Sequence, residues 1–126
     1  LNINNLQLMH TLKNEEVAAL FSTGKFAEVH DRIADNASWI VIEENSFIGK
    51  DAIVQHCKQV ATYFDSVSCI FKIHRIIANA KEVVVEGTAE FRNDKNETSF
   101  ISACDIYTFN DNKQIESIRS YCITRK

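Results

Sequence analysis

Phe100-Ile101-Ser102-Ala103-Cys104-Asp105-Ile106-Tyr107-Thr108-Phe109 reads as a β-strand with apolar residues on both of its alternating faces, so the strand is covered on both sides. Asn110-Asp111-Asn112-Lys113 then makes a tight turn into a second strand, Gln114 to Thr124. One residue breaks the apolar pattern. Asp105 is an acid in mid-strand, and a carboxylate there must be paired, hydrogen-bonded or kept protonated, because burying a bare charge is costly.

Upstream of this hairpin the pattern repeats. Val67 to Ala78 reads as one strand and Lys81 to Arg92 as the next, across a turn at Asn79-Ala80. The second alternates: Val83, Val85, Ala89 and Phe91 share one face, and Val84, Glu86, Thr88 and Glu90 the other. Asn93-Asp94-Lys95-Asn96 forms the turn that leads into the Asp105 strand. The chain before Val67 is mostly helical. Asn14-Glu15-Glu16 opens a helix, with Asn14 as cap and two acids at its positive end, and Gly24 closes it. A second helix is expected from about Lys25 to Ala34, with Phe26, Val29, His30 and Ile33 on one side. Ser38 to Glu43 and Ser46 to Ile48 read as strands, and Gly49-Lys50-Asp51 starts a third helix that reaches about Phe64. Helices grouped ahead of consecutive hairpins predict an α+β fold with a mostly antiparallel sheet.

The 126 residues are expected to form one domain, 1–126, burying roughly two-thirds of the unfolded surface. A net charge of −3 without a Lys/Arg cluster argues against nucleic-acid partners and against docking on an anionic membrane. No apolar run approaches the ~20 residues of a membrane-spanning helix. The first residue is leucine, which leaves a preceding segment or a removed leader open. Cys57, Cys69, Cys104 and Cys122 are widely spaced with no CxxC pair, so no metal site is expected. They read as small buried hydrophobes in a reducing compartment, and the expected location is cytoplasmic. Nothing in the spacing indicates a Cys104–Cys122 bridge between adjacent strands.

The order and spacing of three segments carry a family resemblance: Ala34-Asp35-Asn36-Ala37-Ser38-Trp39, Ile48-Gly49-Lys50-Asp51-Ala52-Ile53, and Cys104 to Asn110 with its turn. From about Glu15 to Ile123 the chain resembles the nuclear transport factor 2 superfamily, which includes ketosteroid isomerases, SnoaL-type polyketide cyclases and dehydratases. The resemblance implies a cone-shaped, curved, mixed but mostly antiparallel sheet wrapped around three helices of the N-terminal half, a cystatin-like α+β barrel with an apolar pocket. It also places Asp105 where the isomerases keep a protonated aspartate that donates a hydrogen bond to the developing oxyanion. Counting from Trp39 puts the isomerase's general base near Val41, and counting back from Gly24 puts its oxyanion tyrosine near Val17. Neither valine can do that chemistry, so steroid isomerisation by the usual route is not expected.

With Asp105 facing the pocket, strand alternation brings Ile101, Ala103 and Tyr107 to the same face, and the last strand contributes Ile118, Ser120 and Cys122. Trp39, Val41 and Val17 complete the expected lining. His56 sits at the edge of the third helix's buried face, over the cone mouth, and is the natural acid/base partner near neutral pH. Each assignment has a plainer alternative: Asp105 as a structural hydrogen-bonded acid, His56 and His30 as core or interface histidines, His74 on the outer sheet face, and Glu86 and Glu90 as a solvated face. Phe100, Cys104, Ile106, Tyr121 and Ile123 point away from the pocket, with Arg119 and Thr108 beside them. So contiguous an apolar patch predicts a homodimer through the outer sheet face, with Phe100, Ile106 and Tyr121 at its interface. Two functions follow. One is acid/base chemistry of isomerase, cyclase or dehydratase type on a small apolar carbonyl or cyclic compound, by Asp105 and His56 without a cofactor. The other is a non-catalytic homodimeric module for ligand binding or assembly.

Overall fold

The computed structural model describes residues 12–125. Helix α1 spans Asn14–Ser22, a 3-10 helix spans Phe26–Arg32, and helix α2 spans Lys50–Asp65. The strands are β1 (Ile33–Val41), β2 (Asn45–Ile48), β3 (Ser68–Ala78), β4 (Glu82–Arg92), β5 (Thr98–Phe109) and β6 (Ile115–Thr124). They form one sheet in the order β2-β1-β6-β5-β4-β3. Only the β1–β6 pair is parallel among these neighbours, so the sheet is mixed and mostly antiparallel, as expected. No helix among the described residues is long and apolar enough to cross a membrane.

Asparagine sets the three long hairpins. The side-chain carbonyl of Asn79 accepts from Lys81 and Glu82 N–H, that of Asn93 from Lys95 and Glu97, and that of Asn110 from Asn112 and Gln114. Each turn thus satisfies two backbone donors from one side chain, which is why asparagine recurs there. Register irregularities at Ile33/Ser38, Ile73/Arg75 and Thr108/Phe109 bend the strands, and such bulges are what curl a sheet into a cone.

Two helical expectations change. Lys13, not Asn14, is the residue preceding α1, and its backbone N–H donates to Glu16 Oε1 at 3.1 Å. The second helix is shorter and tighter than a Lys25–Ala34 α-helix, because its buried residues Phe26, Val29 and Arg32 recur every third position, the 3-10 period. Arg32 therefore turns inward where His30 was expected. Its Nε donates to Lys113 O at 2.7 Å, Nη1 to Leu12 O at 2.7 Å and Nη2 to Asn14 Oδ1 at 3.1 Å, tying the 3-10 helix to the β5–β6 turn and the start of α1. β1 consequently begins at Ile33, earlier than Ser38.

The core lies between the helices and the inner face of the sheet. Val17, Phe21, Val29, Ile53, Tyr107, Phe109, Ile115 and Ile118 fill it. Gly24, at φ +84°, turns the chain out of α1, and a Cβ there would stand 2.8 Å from the Phe64 ring. At Gly87 backbone replaces side chain: a Cβ would lie 2.2 Å from the carbonyl oxygen of Lys72 and 3.2 Å from Ile73 Cα. β3 crosses that close only because β4 carries glycine at this position.

Candidate functional site

A cavity of about 440 Å³ opens between α1, α2 and the concave face of the sheet, within the range of small-molecule sites. Its walls are largely aromatic. Phe64 stacks on Phe91 at 5.5 Å and meets Phe71 edge-on at 5.3 Å, and Phe21 and Phe26 continue the wall toward Trp39. Asp105, His56, Trp39, Val41, Ile101, Ala103, Ser120 and Cys122 all border this space.

Three expected lining residues do not border it. Val17, Tyr107 and Ile118 are 0 % exposed and belong to the core. Their parity is inward, but parity gives the face of a strand and not the depth at which helices close over it. The lining also includes residues that the sequence reading missed: Ser22 and Thr23 at the end of α1, Val60, Tyr63 and Phe64 on α2, and Phe71 on β3. A signal existed for the strand aromatics, because Phe71 and Phe91 occupy inward positions of adjacent strands. None existed for Ser22, whose neighbour Phe21 looks like the last core residue of the helix.

Asp105 is the carboxyl among the lining residues and is partly buried. Ser22 Oγ donates to Asp105 Oδ2 at 2.8 Å and lies 2.6 Å from the Tyr107 hydroxyl. Ser120, directly opposite Asp105 on β6, is 4 % exposed and accepts from Trp39 Nε1 at 2.9 Å. Burial pushes the Asp105 carboxyl above its ordinary 3.8, opposed in part by hydrogen bonding from Ser120 and then Ser22. The balance favours a protonated acid over a wider pH range than in water. Burial likewise holds Tyr107 well above 10.0, reinforced by the Asp105 charge, so the phenol keeps its proton.

His56 stacks on Phe47 with ring centroids 4.0 Å apart and meets Trp39 edge-on at 5.2 Å. That sandwich holds the imidazole at the cavity wall. His30 borders a smaller crevice beside Cys57 and Lys58, and burial followed by the Lys50 and Lys58 charges lowers its pKa, which keeps it neutral. His74 lies on the outer sheet face, within 3.3 Å of Thr88 Oγ1. All four cysteines are free, and Cys57 is pushed up to about 12 by burial. A Cys104–Cys122 bridge is ruled out by register: Cys104 pairs with Tyr121 and Cys122 with Ala103, so the two thiols face opposite sides of the sheet.

On the outer face, Ile77, Val84, Ile106 and Arg119 form one row across four strands, and Arg75, Glu86, Cys104 and Tyr121 the next. Phe100 and Ile106 are partly buried there, with Arg125 stacked 4.0 Å over the Phe100 ring. Tyr121 and Ile123 are 40 % and 71 % exposed.

The sequence model of the SnoaL-like domain matches residues 15–117. No curated protein matches the chain significantly in sequence. Among solved structures, an NTF2-like protein of unknown function from Cytophaga hutchinsonii is 29% identical with a TM-score of 0.78, the match covering 85% of this chain and 93% of that one. A LEH-like epoxide hydrolase from M. tuberculosis is similar at 18% identity and TM-score 0.67, covering 87% of this chain and 82% of its own. SalBIII, an epoxide hydrolase/cyclase-like enzyme with a role in pyran ring formation in the polyether salinomycin, is similar at 18% identity and TM-score 0.69, over 87% and 90% of the two chains. At these identities the last two carry the fold alone.

Proposed function

The chain belongs to the SnoaL-like domain family, and from that premise we propose that it acts as a single domain that holds one small, largely apolar molecule and performs acid/base chemistry on it through Asp105. The observation that carries this reading is a carboxyl group, hydrogen-bonded by Ser22, on the wall of a largely apolar cavity, where burial pushes its pKa upward. A carboxyl group there costs the fold stability, and proton transfer is the work that repays an acid poised toward neutrality. When ionised, Asp105 can take a proton from carbon beside a ligand carbonyl. When protonated, it can donate to that carbonyl's oxygen. His56, which borders the same cavity from α2, is the second group able to carry a proton. Epoxide opening and ring closure in structures of this fold are also reactions at oxygen-bearing molecules, which fits this class of ligand.

The experiment is deuterium exchange of a small cyclic ketone in D2O, followed by proton NMR, with binding of the neutral dye Nile red measured in parallel. Exchange above the buffer rate, lost in Ala103→Trp along with dye binding, is the expected result. Dye binding without exchange would replace catalysis with the second reading, a non-catalytic ligand-binding module. Val41 favours that second reading, because the position offers no base beside Asp105.

The outer sheet face suits a second copy of the chain. Its apolar row from Ile77 to Ile106 and the exposed Tyr121 and Ile123 lie beside an Arg75–Glu86 ion pair of 2.9 Å, so the face combines apolar area with both signs of charge. Light scattering on a sizing column should give twice the chain mass, and Tyr121→Asp with Ile123→Asp should give the monomer. A wild-type monomer would end this assignment without touching the pocket. Free thiols throughout the described residues suit a reducing compartment, the cytoplasm.

A further inference from the structure

Four side chains from four elements, Ser22, Trp39, Tyr107 and Ser120, gather around Asp105, and the direction of each hydrogen bond can be worked out from what each group can donate. The indole N–H of Trp39 can only donate, so Ser120 Oγ accepts from it, and the Ser120 proton is left to stabilise the Asp105 carboxylate. On the other side, Ser22 donates its one proton to Asp105 Oδ2. The 2.6 Å contact between Ser22 and the Tyr107 hydroxyl must then be donated by Tyr107. Tyr107 is 0 % exposed and Ser22 is its hydroxyl's hydrogen-bond partner among the described residues. Reversing the contact would leave the phenol proton buried without an acceptor, a cost of about 1–3 kcal/mol. Ser22 is thus locked as a donor toward Asp105 by the phenol behind it, and Trp39 leaves the Ser120 proton free to face the same carboxyl.

We propose that Ser22, locked by Tyr107, is a positioning residue that confines proton exchange at Asp105 to the side of the carboxyl group facing the cavity. A proton placed between Asp105 and Ser22 would make Ser22 accept from both Asp105 and Tyr107 and would leave its own proton without the Asp105 acceptor. A proton placed between Asp105 and Ser120 would strand the Ser120 hydroxyl in the same way. The lone pairs that neither serine occupies are the ones left, and the cavity is the space they can reach. The proposal rests on the acid/base reading of Asp105 and deepens it by specifying where the proton is delivered. The other titratable groups near this carboxyl do not compete for the role. Tyr107 keeps its proton, and the Cys122 thiol is held up to about 11, by desolvation first and then by Asp105 and Glu44. Cys104 and Glu86 stand on the opposite face of the sheet, and His56 is held against Phe47 and Trp39.

The test needs no ligand, so it stands or falls separately from catalysis. The Asp105 carboxyl carbon, labelled with 13C and assigned by its loss in Asp105→Asn, is titrated by NMR. Ser22→Ala removes one donor from the carboxylate and should move the titration upward by about one pH unit. Tyr107→Phe removes the donor that holds the Ser22 proton on Asp105 and should move it upward by a smaller amount, while Ser22→Thr should keep the wild-type midpoint. Neutron diffraction below that midpoint should place the deuteron away from Ser22. A midpoint unchanged by Ser22→Ala, a Tyr107→Phe protein that titrates as wild type, or a deuteron on Oδ2 would each overturn the proposal. A merely structural Ser22 would change the melting temperature and leave the Asp105 titration in place.

Discussion

Asp105→Asn should melt at a higher temperature than the wild-type protein at neutral pH and at the same time lose all exchange at a bound ketone. The two effects have one cause. In the folded protein burial raises the Asp105 pKa above 3.8 despite the hydroxyls of Ser120 and Ser22. From 3.8 up to the raised folded pKa, the folded chain therefore binds more protons than the unfolded one, and stability falls as pH rises through that interval. Above the interval the protein carries the full cost of a buried carboxylate. Asparagine removes the charge, keeps an oxygen to accept from Ser22, and should raise the melting temperature by about 3 °C, roughly 1 kcal/mol for a chain of this length. Below pH 3.8 the gain should vanish. Calorimetry across pH reads the stability effect, and NMR exchange reads the chemical one. A mutant less stable than wild type at neutral pH would make the carboxylate a structural anchor, and the acid/base reading would go with it.

The strand pattern carried most of the architecture because alternation and turn chemistry are local. Val83, Val85, Ala89 and Phe91 face the interior together as their spacing implies, and the asparagines that open three turns do so through their own side chains. Depth was not local. Tyr107 and Asp105 share a face, yet one is sealed in the core and the other borders the cavity, and the difference comes from where α1 crosses the sheet. The same crossing delivers Ser22, a residue 83 positions away in sequence, to Asp105. No periodicity within either segment encodes that meeting. The 3-10 helix was missed for a related reason: an arginine at every-third spacing looks solvent-facing until acceptors such as the Lys113 and Leu12 carbonyls are known. Composition and alternation thus locate a carboxyl in an apolar wall, while the hydroxyls that govern its proton become visible only in three dimensions.

Gly87→Ala should cost about 3 kcal/mol, at the upper end of what overpacking costs, and should empty the cavity of Nile red even in the fraction that remains folded. The added Cβ would fall 2.2 Å from the Lys72 carbonyl oxygen and 3.2 Å from Ile73 Cα, both backbone atoms of the neighbouring strand. A side chain could swing away from such a contact, but backbone held in a ladder cannot. Ile73 pairs with Gly87 on one side of a register shift that resumes at Arg75–Glu86, so the strand has to separate from β4 or slide. Either movement carries Phe71 and Ile73 with it, and both border the cavity. Thr88→Ala provides the comparison: it lies one residue on, in an outward position, and should change stability by less than about 0.5 kcal/mol. Chemical denaturation of the two variants separates the explanations. A large loss at residue 87 alone identifies the close approach of β3 as the feature that shapes the pocket. Equal, small losses at both would mean that β3 yields easily, and the cavity wall would then have to be held by α2 and its stack of Phe64 on Phe91 instead.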